Sequence, residues 1–307
     1  MGPAAVRLAK GIGAADWPDA IALPTASGKT ACLDIAVFAL AAAALNTPAT
    51  EPLAAPRRIF FVVDRRVIVD EAFKRARHIA RALRGAPDGV LGTVAGALRG
   101  LAGGEAWEPL ACFQLRGGMY RSDAWARSPA QPAIIASTVD QLGSRLLFRA
   151  YGRSHKAWPI QAGLAGNDAL ILLDEAHCAR PFLDTLEAVR AYRGWAETPL
   201  VAPFRAVAMS ATPPPGLDDV FRDDSDEGRT PGHPLGDRRL AAKPTLLEVA
   251  AKAKGAHALD GLAAALAGQA GKLPAGRWPA WSSPTGWRRP AQRSGGWRKP
   301  MGTTWCC

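Results

Sequence analysis

Cysteine is scarce in this sequence and never suitably spaced. Cys32, Cys112, Cys178, Cys306 and Cys307 contain no C-x-x-C pair. That excludes a disulfide framework and gives no zinc-ligand spacing; a reducing cytoplasm suits such thiols. Long hydrophobic runs are lacking too. No uncharged apolar run reaches 18 residues, and the longest, around Cys32 to Leu45, carries Asp34. It reads as an Ala-rich helix rather than a membrane span. The N-terminus has no basic, apolar and small-residue succession of the kind that precedes a signal cleavage site. The expected location is cytoplasmic, with no membrane partner. With 48% of its 307 residues hydrophobic, the chain can bury a sizeable core, so wholesale disorder is not expected.

The charge is unevenly placed. Of the formal net charge of +11, six units come from Arg277, Arg288, Arg289, Arg293, Arg298 and Lys299, in a stretch that holds no acid. Residues 1–274 keep an excess of five, which is compatible with a nucleic-acid partner without requiring one.

Short apolar runs alternate with helical patterns. Strands are expected near Ile21–Pro24, Ile59–Val63, Ala133–Ala136, Leu170–Leu173 and Ala206–Met209, and helices over Thr30–Leu45, Arg66–Leu83, Val139–Tyr151 and Phe182–Ala196. Strands with few polar positions, each followed by a helix, predict an α/β fold: one parallel sheet with helices on both faces. Ligands of such sheets sit beyond the carboxyl ends of the strands.

Residues 1–16 read as a lead and 17–245 as one α/β lobe. Within the lobe, residues 213–245, which open on three prolines followed by a run of acids, read as a long solvated connection. Residues 246–274 are expected to be a helical connection towards a missing second lobe, with a helix from Leu246 to Leu266.

From about Gly276 the composition breaks. Trp278, Trp281, Trp287, Trp297 and Trp305 follow neither helical nor strand period. One reading is a basic aromatic tail that stacks on single-stranded nucleic acid. The other is a frameshift. A one-nucleotide slip converts each TGG codon into NTG, which encodes Val, Leu or Met. One allowed back-translation of 278–307 then reads as strand, turn, amphipathic helix and strand. The second reading makes residues 275–307 a disordered or non-native tail.

Three motifs carry chemistry, and each follows a strand. Pro24, Thr25, Ala26, Ser27, Gly28, Lys29 and Thr30 lead from a strand into a helix. Backbone N–H groups in such a turn cradle phosphates, Lys29 supplies a flexible cation, and the Thr30 hydroxyl is suited to ligating Mg²⁺. Leu23 stands where G-x-x-x-x-G-K-[ST] has its first glycine. Asp174-Glu175-Ala176-His177 ends the run Leu170–Leu173. Here Asp174 is expected to hold Mg²⁺, Glu175 to polarise an attacking water, and His177 to couple the site onward. An acidic first helical turn explains the same letters without chemistry. Ser210-Ala211-Thr212 ends a third run, and its hydroxyls, Ser210 and Thr212, are expected to link the carboxylate loop to nucleic-acid contacts. Two further segments have a nucleic-acid reading beside a plainer one. Arg65 and Arg66 could meet a phosphate backbone or simply line a solvated loop. Thr138 and Gln141 could contact a strand, form a capping box, or do both.

In order and placement the three motifs match the first lobe of superfamily 2 helicases. The strings LPTASGKTACLDIAVFALA (23–41), RRIFFVVDRRVIVDEAF (57–73), STVDQLGSRLLFRAYG (137–152), LILLDEAHCARPF (170–182) and MSATPP (209–214) resemble the helicase–nuclease of type I CRISPR systems, in its I-U (I-G) branch. The resemblance spans roughly 17–273. It implies an enzyme that couples ATP and Mg²⁺ to movement along single-stranded DNA, recruited by a guide-RNA surveillance complex. It also implies a metal-dependent nuclease in the same polypeptide, but no His-Asp dipeptide occurs here. No Q-x-x-G-R-x-x-R string supplies second-lobe arginines, and the lead lacks the adenine-reading glutamine motif. The chain is therefore expected to be a truncated first lobe, catalytically incomplete alone. Another DExH translocase (a restriction-system motor or an RNA helicase) and a non-hydrolysing nucleotide-dependent binding module fit the same residues.

Overall fold

Each strand is a run of side chains that alternates between two apolar layers. In the computed structural model, β1 is Ala20–Ala22, β2 Arg58–Val63, β3 Ala111–Leu115, β4 Ala133–Thr138, β5 Ala169–Asp174, β6 Phe204–Ser210 and β7 Val220–Arg222. They form one sheet in the order β3-β4-β2-β5-β6-β1-β7, with every pairing parallel. Ile59, Phe61 and Val63 enter one buried cluster; Phe60 and Val62 enter the other. The period of two puts neighbours on opposite faces. Because both faces need cover, the strands read as continuous apolar runs rather than alternating ones.

The cover comes from helices. On the first face lie α1 (Cys32–Asn46), α2 (Arg66–Arg84) and α3 (Gly89–Ala102); on the second lie α4 (Ala124–Arg127), α5 (Val139–Leu146), α6 (Trp158–Gly166) and α7 (Arg180–Arg193). Each fully buried Phe, Ile or Leu of these layers contributes about 1.5–3 kcal/mol, with Phe60 and Phe61 the bulkiest. Proline near the start of α6 and α7 sits where its missing N–H costs no helical bond. The fold is thus an α/β RecA-like sheet with helices on both faces. The described residues are 6, 8–9, 16–24, 27–48, 50–117, 123–222, 230–232, 236–237, 240–242, 264–265 and 268. The chain divides into two units, Met1–Ala241 and Ala242–Cys307. The second contains few described residues, of which 264, 265 and 268 are helical. The helix expected over 246–266 lies otherwise outside the described residues, as does the tail.

Several local expectations change. Residues 213–245 are not connection throughout, because Val220–Arg222 pairs with β1 as an edge strand. Three residues between acids, two half-exposed and one exposed, offer no periodic signal. The helix expected over Val139–Tyr151 ends at Leu146, since Phe148 takes φ 54°, which no right-handed helix continues through. Lys29–Asn46 is long and apolar enough to cross a membrane by length and composition. Here Leu33, Val37, Leu40 and Ala41 of this span are core residues.

At the amino edge of the sheet, arginines are consumed by structure. Arg58, 4% exposed, donates to the carbonyls of Leu164, Pro129 and Asn167 at 3.0, 2.7 and 2.9 Å. It also lies 3.5 Å from Asp168. Asp168 accepts from the backbone N–H of Arg57 at 2.8 Å and from its guanidinium at 3.1 Å. Burial pushes Arg58 below the usual arginine range, and Asp168 opposes that shift.

Candidate nucleotide-binding site

At the opposite, carboxyl edge, the ends of β1, β5 and β6 bring the three motifs together. After β1, Ser27 closes a tight turn: its N–H and hydroxyl both donate to the Pro24 carbonyl, at 3.3 and 2.6 Å. Gly28 then takes φ 87° with nothing within 4 Å of where a Cβ would stand. That combination of left-handed backbone and open space favours glycine and leaves room for a ligand against the main chain. Lys29–Ala31 is a 3-10 turn leading into α1. Thr30 lies in that turn, half-buried. Thr25 and Ala26 lie outside the described residues.

Lys29 is 7% exposed, which requires compensation for its charge. Its Nζ lies 3.3 Å from Asp174 Oδ1 and 3.5 Å from Glu175 Oε1. Asp174 ends β5, and its Oδ1 also accepts the Glu175 N–H at 3.0 Å. Glu175 holds φ 51°, a conformation that costs a non-glycine residue of order 1–3 kcal/mol and clusters at functional sites. Its Oε2 lies 3.5 Å from His177 Nδ1. The same Nδ1 lies 3.0 Å from Ser210 Oγ. Ser210 Oγ accepts the Thr212 N–H and donates to the Thr212 carbonyl, both at 3.1 Å. One continuous polar chain therefore runs Lys29, Asp174/Glu175, His177, Ser210, Thr212 across three strand ends. The strand before Lys29, β1, and the strand that ends at Asp174, β5, are separated by β6, whose end supplies Ser210.

The donor set fits the nucleotide and Mg²⁺ expected from the sequence. Asp174 offers a nearly buried carboxylate and Thr30 a hydroxyl, hard oxygen donors of the kind Mg²⁺ takes beside phosphate oxygens and water. The described residues hold no group of three or more His, Cys, Asp or Glu able to form an all-protein metal cage. A Mg²⁺ bound chiefly through phosphate does not need one.

Other expected residues reach the carboxyl edge without joining the chain. Arg65 and Arg66 are exposed at the start of α2. Thr138 stands at the N-cap of α5 but makes no side-chain cap bond. The capping box is thus not formed. Gln141 instead faces Arg145, whose guanidinium donates to the Gln141 side-chain oxygen at 3.2 Å. Sequence reasoning missed two features. Cys32 is buried beside the site, its thiol pushed up to about 12 by burial and then by Asp174, against the lowering by a backbone hydrogen bond and Lys29. Arg116, 3.2 Å from Asp70, follows β3, which was not expected; the string Cys112-Phe113-Gln114-Leu115 before Arg116-Gly117 was its only signal. Compared with family models and with curated proteins, the chain matches none.

Proposed function

We propose that this chain is the ATP-binding first lobe of a DNA helicase or translocase, of the kind that type I CRISPR systems use. The observation that carries the reading is the Lys29 ammonium held between Asp174 and Glu175 at 3.3 and 3.5 Å, beside the open left-handed Gly28. A triphosphate entering there exchanges the carboxylate partners of Lys29 for phosphate oxygens, and the turn's N–H groups meet the rest. Asp174, released, would hold Mg²⁺ with Thr30, and the bound ion neutralises charge on the phosphates. Glu175 positions and polarises water. His177, tied to both Glu175 and Ser210, senses whether Glu175 has moved and relays it to the loop after β6. Single-stranded DNA is the proposed track, across the ends of β2 and β4 at Arg65, Arg66, Thr138 and Gln141. Recruitment by a guide-RNA complex belongs to the same proposal.

The ion pairs of Asp174 and Glu175 among the described residues involve Lys29 and His177 and no arginine. Transition-state arginines are worth about 10³–10⁵ in rate for phosphoryl transfer, so this chain by itself should turn over MgATP slowly. The test is turnover with and without single-stranded DNA, using Glu175→Gln as control. Slow, DNA-raised turnover lost in Glu175→Gln supports the reading. Tight nucleotide binding with no turnover that depends on Glu175 replaces it with a non-hydrolysing module.

A further inference from the structure

The buried face of α2 is set by Val69, Ala72, Ala76, Ile79, Ala80 and Leu83. At 100° per residue, Arg66, Asp70, Phe73, Arg77, Arg81 and Arg84 share the flank beside it. That flank borders β3. Near its start, Asp70 is ion-paired with Arg116, 3.2 Å away, and accepts a hydrogen bond from the Gln114 amide. The Arg66 guanidinium lies against Gly117, 3.1 Å from where a Cβ would be. Further down, a cleft of about 240 Å³ opens between α2 and β3. Its lining holds three arginines, Arg77, Arg81 and Arg84, against one acid, Glu108. Glu108 is 2.7 Å from Arg84, while Arg81 makes no ion pair among the described residues. Arg77 lies over the Phe73 ring, 5.9 Å from its centroid. From Arg66 to Arg81 the helix rises about 22 Å.

We infer that this flank is a second binding track for single-stranded nucleic acid, running from the carboxyl edge at Arg66 down to the Arg77–Arg81 cleft, away from the nucleotide site. Planar guanidiniums bind phosphate oxygens in a fork and stack on flat rings. Phe73 packs partly against the core with Arg77 over its ring, and its exposed part extends that flat surface towards a base. An acidic peptide would use the cations alone, whereas the Arg77–Phe73 pair adds a flat stacking surface, which favours nucleic acid. The inference rests on α2 and β3 and stands apart from the nucleotide-site reading.

The experiment is binding of a labelled single-stranded oligothymidylate across a salt series, by the parent chain, Arg77→Gln/Arg81→Gln and Phe73→Leu. Losing two phosphate contacts should flatten the slope of log affinity against log salt by about 1.4. Phe73→Leu should weaken binding about fivefold or more with the slope kept. Both arginines are exposed, so the double variant should melt with the parent; should Phe73→Leu misfold, the double variant decides alone. An unchanged slope in the double variant overturns the inference, and so does loss of acidic-peptide binding with oligothymidylate binding intact. Thermal stabilisation by MgATP, measured on the same samples, separates the outcomes. Stabilisation with an unchanged slope removes the track and keeps the nucleotide site. A flattened slope without stabilisation does the reverse.

Discussion

The two edges of the sheet use the same charges for opposite ends. At the amino edge Arg58 donates to three main-chain carbonyls at 2.7–3.0 Å, and Asp168 is held by a backbone N–H and a guanidinium. Those carbonyl partners are main-chain groups of α6 and of the loops flanking β4 and β5, and cannot leave. At the carboxyl edge the Lys29 ammonium meets, among the described residues, only side chains, at 3.3 and 3.5 Å, next to a glycine with open space. A charge bonded to backbone is part of the frame, whereas one bonded to exchangeable carboxylates can be handed to a ligand. Left-handed backbone occurs at both edges, φ 49° at Asp168 and 51° at Glu175, so the partners of the charges and not the backbone separate the two.

The strongest way to break this comparison is Arg58→Met. Three carbonyls lose their donor and Asp168 loses one of its cations, so unfolding free energy should fall by about 3–5 kcal/mol, measured by denaturant melts. The surviving folded fraction should still be stabilised by MgATP. A variant that melts like the parent would mean the amino-edge network is not structural. A smaller effect of opposite sign is expected at Glu175→Gly. Relief of the left-handed backbone should raise stability by about 1 kcal/mol while turnover disappears; a fall in stability would show that the Glu175 contacts outweigh its strain.

The smallest effect separates the thiols. Cys178 is exposed and Cys32 buried, with Cys32 pushed up to about 12. Alkylation of the folded chain at mildly alkaline pH should label Cys178 and spare Cys32, read by peptide mass. The sign of the linked stability follows. Folding holds the Cys32 proton more tightly than the unfolded chain, whose thiol has the ordinary value of 9.0. This contribution is therefore whole below pH 9 and is lost as pH rises toward 12. Fast labelling of Cys32 in the folded chain would place it outside the core.

What was legible in the sequence was whatever a long apolar run announces. β2, β4, β5 and β6 are such runs, and the residues just past β5 and β6 carry the site because parallel strands end together. Asp174, His177 and Ser210 were placed on one edge by that logic, and Lys29 by its Gly-Lys-Thr turn after the three-residue β1. β3 was missed because its Phe113 and Gln114 are half-buried and resemble loop. Four glycines over 89–100 hid α3, whose Val94, Ala95 and Leu98 nevertheless pack in the core. The Thr138–Gln141 spacing matched a capping box, yet Arg145, four residues beyond Gln141, competed for its oxygen, which no local pattern of cap residues reveals. Distances within the polar chain, and the burial of Lys29, needed the fold.

The central claim is that Lys29 exists to meet phosphate. Its most direct test is the melting of parent and Lys29→Ala with and without saturating MgATP. Each is compared with its own nucleotide-free state, because removing the cation from between Asp174 and Glu175 lowers stability by itself. At a hundredfold over the dissociation constant the parent should gain about 2.7 kcal/mol and the variant nothing. Asp174→Asn combined with Lys29→Ala restores charge balance, should recover folding lost in the single variant, and should still gain nothing. Equal nucleotide stabilisation in parent and Lys29→Ala would contradict the account.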